Sequence, residues 1–145
     1  MRLKSLIVAL SLCMGLTACS KTEVSHNADV LPDKARTVLS QNFTSAITLV
    51  KTTTSAGSSK EYDVILANGT EVEFKGNGEW TSIDTPSNVA VPSGLIPTAI
   101  SNYVKTKHAG AIIVGIEKEK NGFSIDLSND IELNFDLEGN FVAPD

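Results

Sequence analysis

One stretch constrains the fold of this chain more than any other: Glu61 to Trp80, EYDVILANGTEVEFKGNGEW. Tyr62, Val64 and Leu66 alternate with Asp63, and Thr70, Val72 and Phe74 alternate with Glu71 and Glu73, the period of strands that bury one side only. Asn68-Gly69 joins the two runs and predicts a type I′ hairpin turn, whose central residues need the positive φ that Asn and Gly tolerate. A degenerate echo follows from Gly122 to Phe141, GFSIDLSNDIELNFDLEGNF, in which Phe123, Ile125, Leu127 and Ile131, Leu133, Phe135 flank Asn129-Asp130. Trp80 after Gly78 is answered by Phe141 after Gly139. A recurring hairpin predicts a sheet assembled from two copies of one unit.

What precedes each hairpin also matches. Leu31, Ala35, Val38, Leu39 and Phe43 recur at helical spacing behind Pro32, and Ile96, Ile100, Tyr103 and Val104 do so behind Pro97. Proline suits the first helical position, where an N–H would have no acceptor. Each helix leads into a β-branched run, Ala46 to Lys51 and Ala111 to Glu117. Pro32 and Pro97 stand 65 positions apart, as do Ala46 and Ala111, whereas Tyr62 and Phe123 stand 61 apart. The difference falls in Thr52 to Lys60, TTTSAGSSK, read as a low-complexity loop. The expected fold is α+β: two tandem helix-plus-antiparallel-strand repeats, residues 30–83 and 95–145, forming one sheet with helices on one face and the other face open. Residues 84–94, DTPSNVAVPSG, read as a linker.

The N-terminus reads as an export signal. Arg2 and Lys4 precede an apolar run from Leu6 to Leu16, shorter than the roughly 20 residues that span a bilayer. Leu16-Thr17-Ala18-Cys19 resembles a bacterial lipobox, which implies a signal peptide over residues 1–18 and lipidation of Cys19. Several acyl chains together anchor stably, where one binds marginally. Ser20 after the cysteine, rather than Asp, is similar to the outer-membrane sorting pattern of Gram-negative lipoproteins. Residues 19–29 read as the lipidated cysteine and a flexible tether, with His26 solvated there. Loss of the signal leaves 10 Lys and Arg against 17 Asp and Glu, a formal charge of -7. That balance argues against nucleic acid, whose phosphates need cations, and against anionic headgroups.

The ordered series of a Leu-Pro helix, a β run, Tyr-x-Val-x-Leu, Asn-Gly, Val-x-Phe and Gly-x-Trp, then an Ile-Pro helix with its own strands, resembles the PepSY-like periplasmic proteins, whose fold is similar to that of β-lactamase inhibitory protein. The resemblance runs from about Val30 to Val142. It implies a duplicated α+β fold with an open concave sheet face, the face by which the inhibitory protein grips an enzyme. No inhibitory residue of that protein maps onto a position here.

The residues alternating away from the expected helix-covered face include Asp63, Glu71, Glu73, Asp126 and Glu132. They form either the solvated side of a one-sided sheet or a negative surface that steers a basic partner. Trp80, the sole tryptophan, is either a core plug or an aromatic anchor for a partner. Asp136 to Gly139 is an acidic turn, but calcium needs about six or more oxygen ligands, which the pattern does not supply. His108 reads as a half-buried helix-end residue. Catalytic signatures of the GxSxG, HExxH and CxxC kind are absent from the sequence. The expectation is a non-enzymatic lipoprotein, without metal or cofactor, on the periplasmic side of the envelope. It would bind a protein or peptide through the open face, as an inhibitor of an envelope peptidase or hydrolase in the narrower version. The alternative is a small-ligand carrier with a pocket between helices and sheet.

Overall fold

The computed structural model describes residues 20–57 and 59–144; the stretch read as an export signal and Cys19 lie outside them. A single open sheet of nine strands runs in sequence order, every neighbouring pair antiparallel. Its strands are β1 (Lys21–Ser25), β2 (Ile47–Thr54), β3 (Lys60–Leu66), β4 (Glu71–Lys75), β5 (Trp80–Asp84), β6 (Ile113–Glu119), β7 (Gly122–Leu127), β8 (Glu132–Asp136) and β9 (Phe141–Val142). Helix α1 (Asp33–Asn42) intervenes between β1 and β2, and α2 (Thr98–Lys107) between β5 and β6. The class is α+β, as the two periodicities of the sequence require. Among the described residues no helix is long and apolar enough to cross a membrane.

Register explains the core. Val50, Val64, Val72, Ile83, Ile116, Ile125 and Leu133 stand opposite one another from β2 to β8 and are all buried. A second such row holds Tyr62, Phe74, Trp80, Phe123 and Phe135. Ala35 and Leu39 of α1 and Ile100 and Val104 of α2 join these rows in one hydrophobic cluster. Tyr103 stacks on Phe141 at 5.0 Å and meets Phe135 edge-on at 5.3 Å. Pro32 and Pro97 occupy the N-cap positions, one residue before the first helical turn and without a side-chain cap.

Two glycines set how near the helices come. Gly78 and Gly139, at φ of +82° and +84°, adopt a backbone that side chains disfavour. A Cβ on Gly78 would meet Lys34 Cβ at 2.9 Å, and one on Gly139 would meet Ala99 Cβ at 2.9 Å. Turn and helix thus touch at both places.

Three sequence expectations are corrected. Lys21–Ser25, read as flexible tether, is edge strand β1, paired along its whole length from Lys21 opposite Thr54 to Ser25 opposite Val50. Thr52 to Lys60, read as loop, is strand at both ends: β2 runs through Thr54 and β3 begins at Lys60. The three threonines are β-branched and suit a pleated surface, and the longer β2 is what gives β1 an edge to pair with. The Asn68-Gly69 turn is also not of the primed two-residue kind. Leu66 N donates to Thr70 O, Gly69 N donates to Leu66 O, and only Gly69 has positive φ. That is a three-residue loop closed by a glycine in the left-handed region.

In the linker, Val91 is buried and donates its N–H to Ile113 O, while Thr85 N–H donates to Val114 O. The segment leaving β5 is thereby fastened along β6.

Candidate acidic sheet surface

The residues between the core rows are largely carboxylates. Asp63 stands opposite Glu73, Glu73 opposite Ser82, and Ser82 opposite Glu117. One pair further along the strands, Glu71 stands opposite Asp84, Asp84 opposite Gly115, Gly115 opposite Asp126, and Asp126 opposite Glu132. Neighbouring strands are about 4.8 Å apart, so acids facing across a pair sense one another. The Asp126 side chain fills the space over Gly115, where a Cβ would lie 2.8 Å from Asp126 Oδ2. At the β2 end Lys51 Nζ meets Asp63 Oδ2 at 2.8 Å, and Ser82 Oγ donates to Asp84 Oδ2 at 3.4 Å.

The electrostatic consequence shows at Glu71. Its carboxyl titrates above the ordinary glutamate range, first because partial burial disfavours the charge and then because Asp84 and Asp63 repel it. Asp63, Glu71, Glu73, Asp126 and Glu132, expected on one side from alternation, are brought together. Asp84 and Glu117 join them. Asp84 had been placed at the start of the linker, and Glu117 closes an apolar run; register against β4 and β7 is the signal that assigns them.

Trp80 is not among them. It lies opposite Phe74 in the core row, 8% exposed, with Lys118 Nζ 3.7 Å from its ring centroid. The β-bulge between Phe74 and Glu73 sets this placement, because the shift in register puts Trp80 opposite Phe74.

The turn acids are otherwise engaged. Asp136 accepts from the Asn140 backbone N at 2.8 Å and from Asn140 Nδ2 at 3.0 Å, which holds its carboxyl below the usual range. His26 Nδ1 lies 2.7 Å from Thr48 O, tying the segment after β1 to β2. His108 is half-buried with its ring 6.1 Å from that of Tyr103. Among the described residues no group of three or more His, Cys, Asp or Glu converges to hold a metal ion. Carboxylates strung along strands make a surface rather than a coordination shell.

Comparison with known proteins fits this architecture. Residues 60–143 match the family described as "Putative beta-lactamase-inhibitor-like, PepSY-like". No curated protein matches the chain. Among solved structures, a "putative periplasmic protein of unknown function" from Bacteroides vulgatus ATCC 8482 is 35% identical with a TM-score of 0.79, covering 85% of this chain and 98% of that one. A second periplasmic protein from the same organism is 32% identical with a TM-score of 0.75, covering 87% of this chain and 96% of its own. A "putative calcium-regulated periplasmic protein" from Bacteroides thetaiotaomicron is 35% identical, also with a TM-score of 0.75 and covering 87% and 96%. The matched family model spans more than half of the 145 residues, and the chain belongs to the PepSY-like family.

Proposed function

We propose that this protein is a non-enzymatic periplasmic lipoprotein that binds a basic protein or peptide through its acidic sheet surface. The observation that carries the reading is the in-register placement of Glu71, Asp84, Asp126 and Glu132 beside Asp63, Glu73 and Glu117. A field of one sign over a sheet surface accelerates encounter with an oppositely charged partner and discourages like-charged ones.

The reading includes the architecture expected from the sequence, with two tandem repeats whose helices cover one face and leave the acidic face open. In its support, each helix is followed by four strands, each meets a turn glycine, and both contribute to the same core cluster. Lipidation at Cys19 and residence at the outer membrane belong to the same proposal, supported by the lipobox and by periplasmic relatives. Inhibition of an envelope peptidase or hydrolase is its narrower form and draws on the family description.

Calcium forms no part of the reading. One similar protein is described as calcium-regulated, but the described acids here do not converge as ligands.

The test is capture of envelope proteins by the purified protein at low and high salt, beside a variant carrying Glu71→Lys, Glu73→Lys and Glu132→Lys. A partner that is retained at low salt, released by high salt and lost to the variant supports the proposal. Binding indifferent to both salt and charge reversal overturns it.

A further inference from the structure

Beside Trp80 lies a hollow opposite in sign to the acidic rows. It has a volume of about 530 Å³, and three lysines, Lys75, Lys118 and Lys120, line it together with two glutamates, Glu79 and Glu119, and the apolar Trp80, Phe123 and Leu137. Lys118 stands opposite Phe123 across β6 and β7, and its ammonium rests on the Trp80 ring, an attraction between a cation and the negative face of the indole.

The charges there are unevenly matched. Glu79 is already held by Lys34 at 3.0 Å. Among the described residues Lys75, Lys118 and Lys120 make no ion pair, which leaves Glu119 as the other carboxylate in the hollow. Lys118 titrates below the ordinary lysine range, foremost because partial burial removes water from it; Glu79 pulls the other way, and Lys34 and Lys75 each add repulsion. An anion entering would relieve that repulsion.

The apolar lining makes a second demand. Leu137 is 61% exposed and Phe123 is only partly buried, so apolar surface is left uncovered next to the lysines. A phosphate or sulfate would answer the charge and leave that surface wet. A hydrocarbon would cover the surface and leave the lysines unmatched.

We propose that the hollow binds a small organic acid: a carboxylate met by Lys75, Lys118 and Lys120, carried on a compact apolar body that lies against Phe123 and Leu137. The site is independent of the acidic rows, and failure of either proposal leaves the other standing.

Trp80, the sole tryptophan, reports on the site directly. Titration of the purified protein with 3-phenylpropionate is expected to change its fluorescence saturably. The neutral 3-phenylpropionamide and inorganic sulfate are expected to change it little. Lys75→Gln with Lys120→Gln, both on exposed side chains and so compatible with folding, should weaken the response roughly tenfold or more, the scale of one charge-assisted contact. Lys118→Gln should weaken it further, with a circular dichroism melt to establish that the variant is folded. An amide as effective as the acid overturns the carboxylate assignment, and sulfate as effective as the acid overturns the apolar one. No saturable response, or one unchanged in the folded lysine variants, removes the site altogether.

Discussion

Glu71 shows at the residue scale what the crowding of acids does. Its folded-state value lies above the ordinary 4.5, so the folded protein holds that proton more tightly than the unfolded chain does. The ionised carboxylate therefore costs stability at pH above its raised folded value, and the cost is relieved as pH falls through that value toward 4.5. Glu71→Gln is expected to raise the thermal midpoint at neutral pH and to change it little below 4.5. The gain should stay within the about 0.5 kcal/mol of ordinary surface substitutions, because water screens a largely solvated group. Melting curves at the two pH values check this; an equal shift at both would remove the electrostatic cause. Asp63, Glu71, Glu73, Asp126 and Glu132 were legible from alternation alone: four of them sit between apolar neighbours, and Glu71 sits between Thr70 and Val72, both buried. Asp84 was not, because the bulge near Trp80 interrupts alternation on β5 and only the partner strand restores the phase. Trp80 carried no signal distinguishing core from surface, since a tryptophan serves both.

At the scale of elements, the hairpins share one loop. Leu66 to Thr70, Lys75 to Glu79, Leu127 to Ile131 and Asp136 to Asn140 are each closed by the same pair of backbone hydrogen bonds. The residue in the left-handed conformation is Gly69, Gly78, Asp130 and Gly139 in turn, with Asp130 at φ 64°. A side chain there costs roughly 1–2 kcal/mol relative to glycine, partly recovered by Asp, whose short polar group tolerates the region. Asp130→Gly is expected to stabilise the protein by up to about 1 kcal/mol, seen as a higher urea midpoint with an unchanged slope. A lower midpoint would show that the aspartate side chain contributes more than its backbone costs. Both helices and the strands β3, β4, β7 and β8 were legible, because their periods of 3.6 and 2 are unbroken over enough residues. The edge strand β1 was not: Lys21 to Ser25 is polar, and what makes it a strand is the extension of β2, a long-range condition invisible in a local window.

For the whole molecule, the α+β class and the antiparallel sheet were readable because helical and strand periods follow one another in the same order twice along the sequence. A partner was not readable in the same way: charge alternating along strands would specify the sign of whatever binds and would leave its shape open. If the protein is the lipoprotein proposed above, Cys19→Ala is expected to move it from the membrane fraction to the soluble one in cell fractionation. Retention of that variant in the membrane would sink the lipoprotein reading.

Pairing of β1 from its first residue changes what an acyl anchor at Cys19 would do. With only Ser20 between Cys19 and Lys21, an acyl anchor there would be tied to the sheet by about 7 Å of chain, two Cα steps. Such an anchor works as a hinge pin rather than a leash. The β1 edge would rest on the headgroups, where it is shielded from pairing with another chain. A partner would then have to approach laterally, within a few nanometres of the lipid surface.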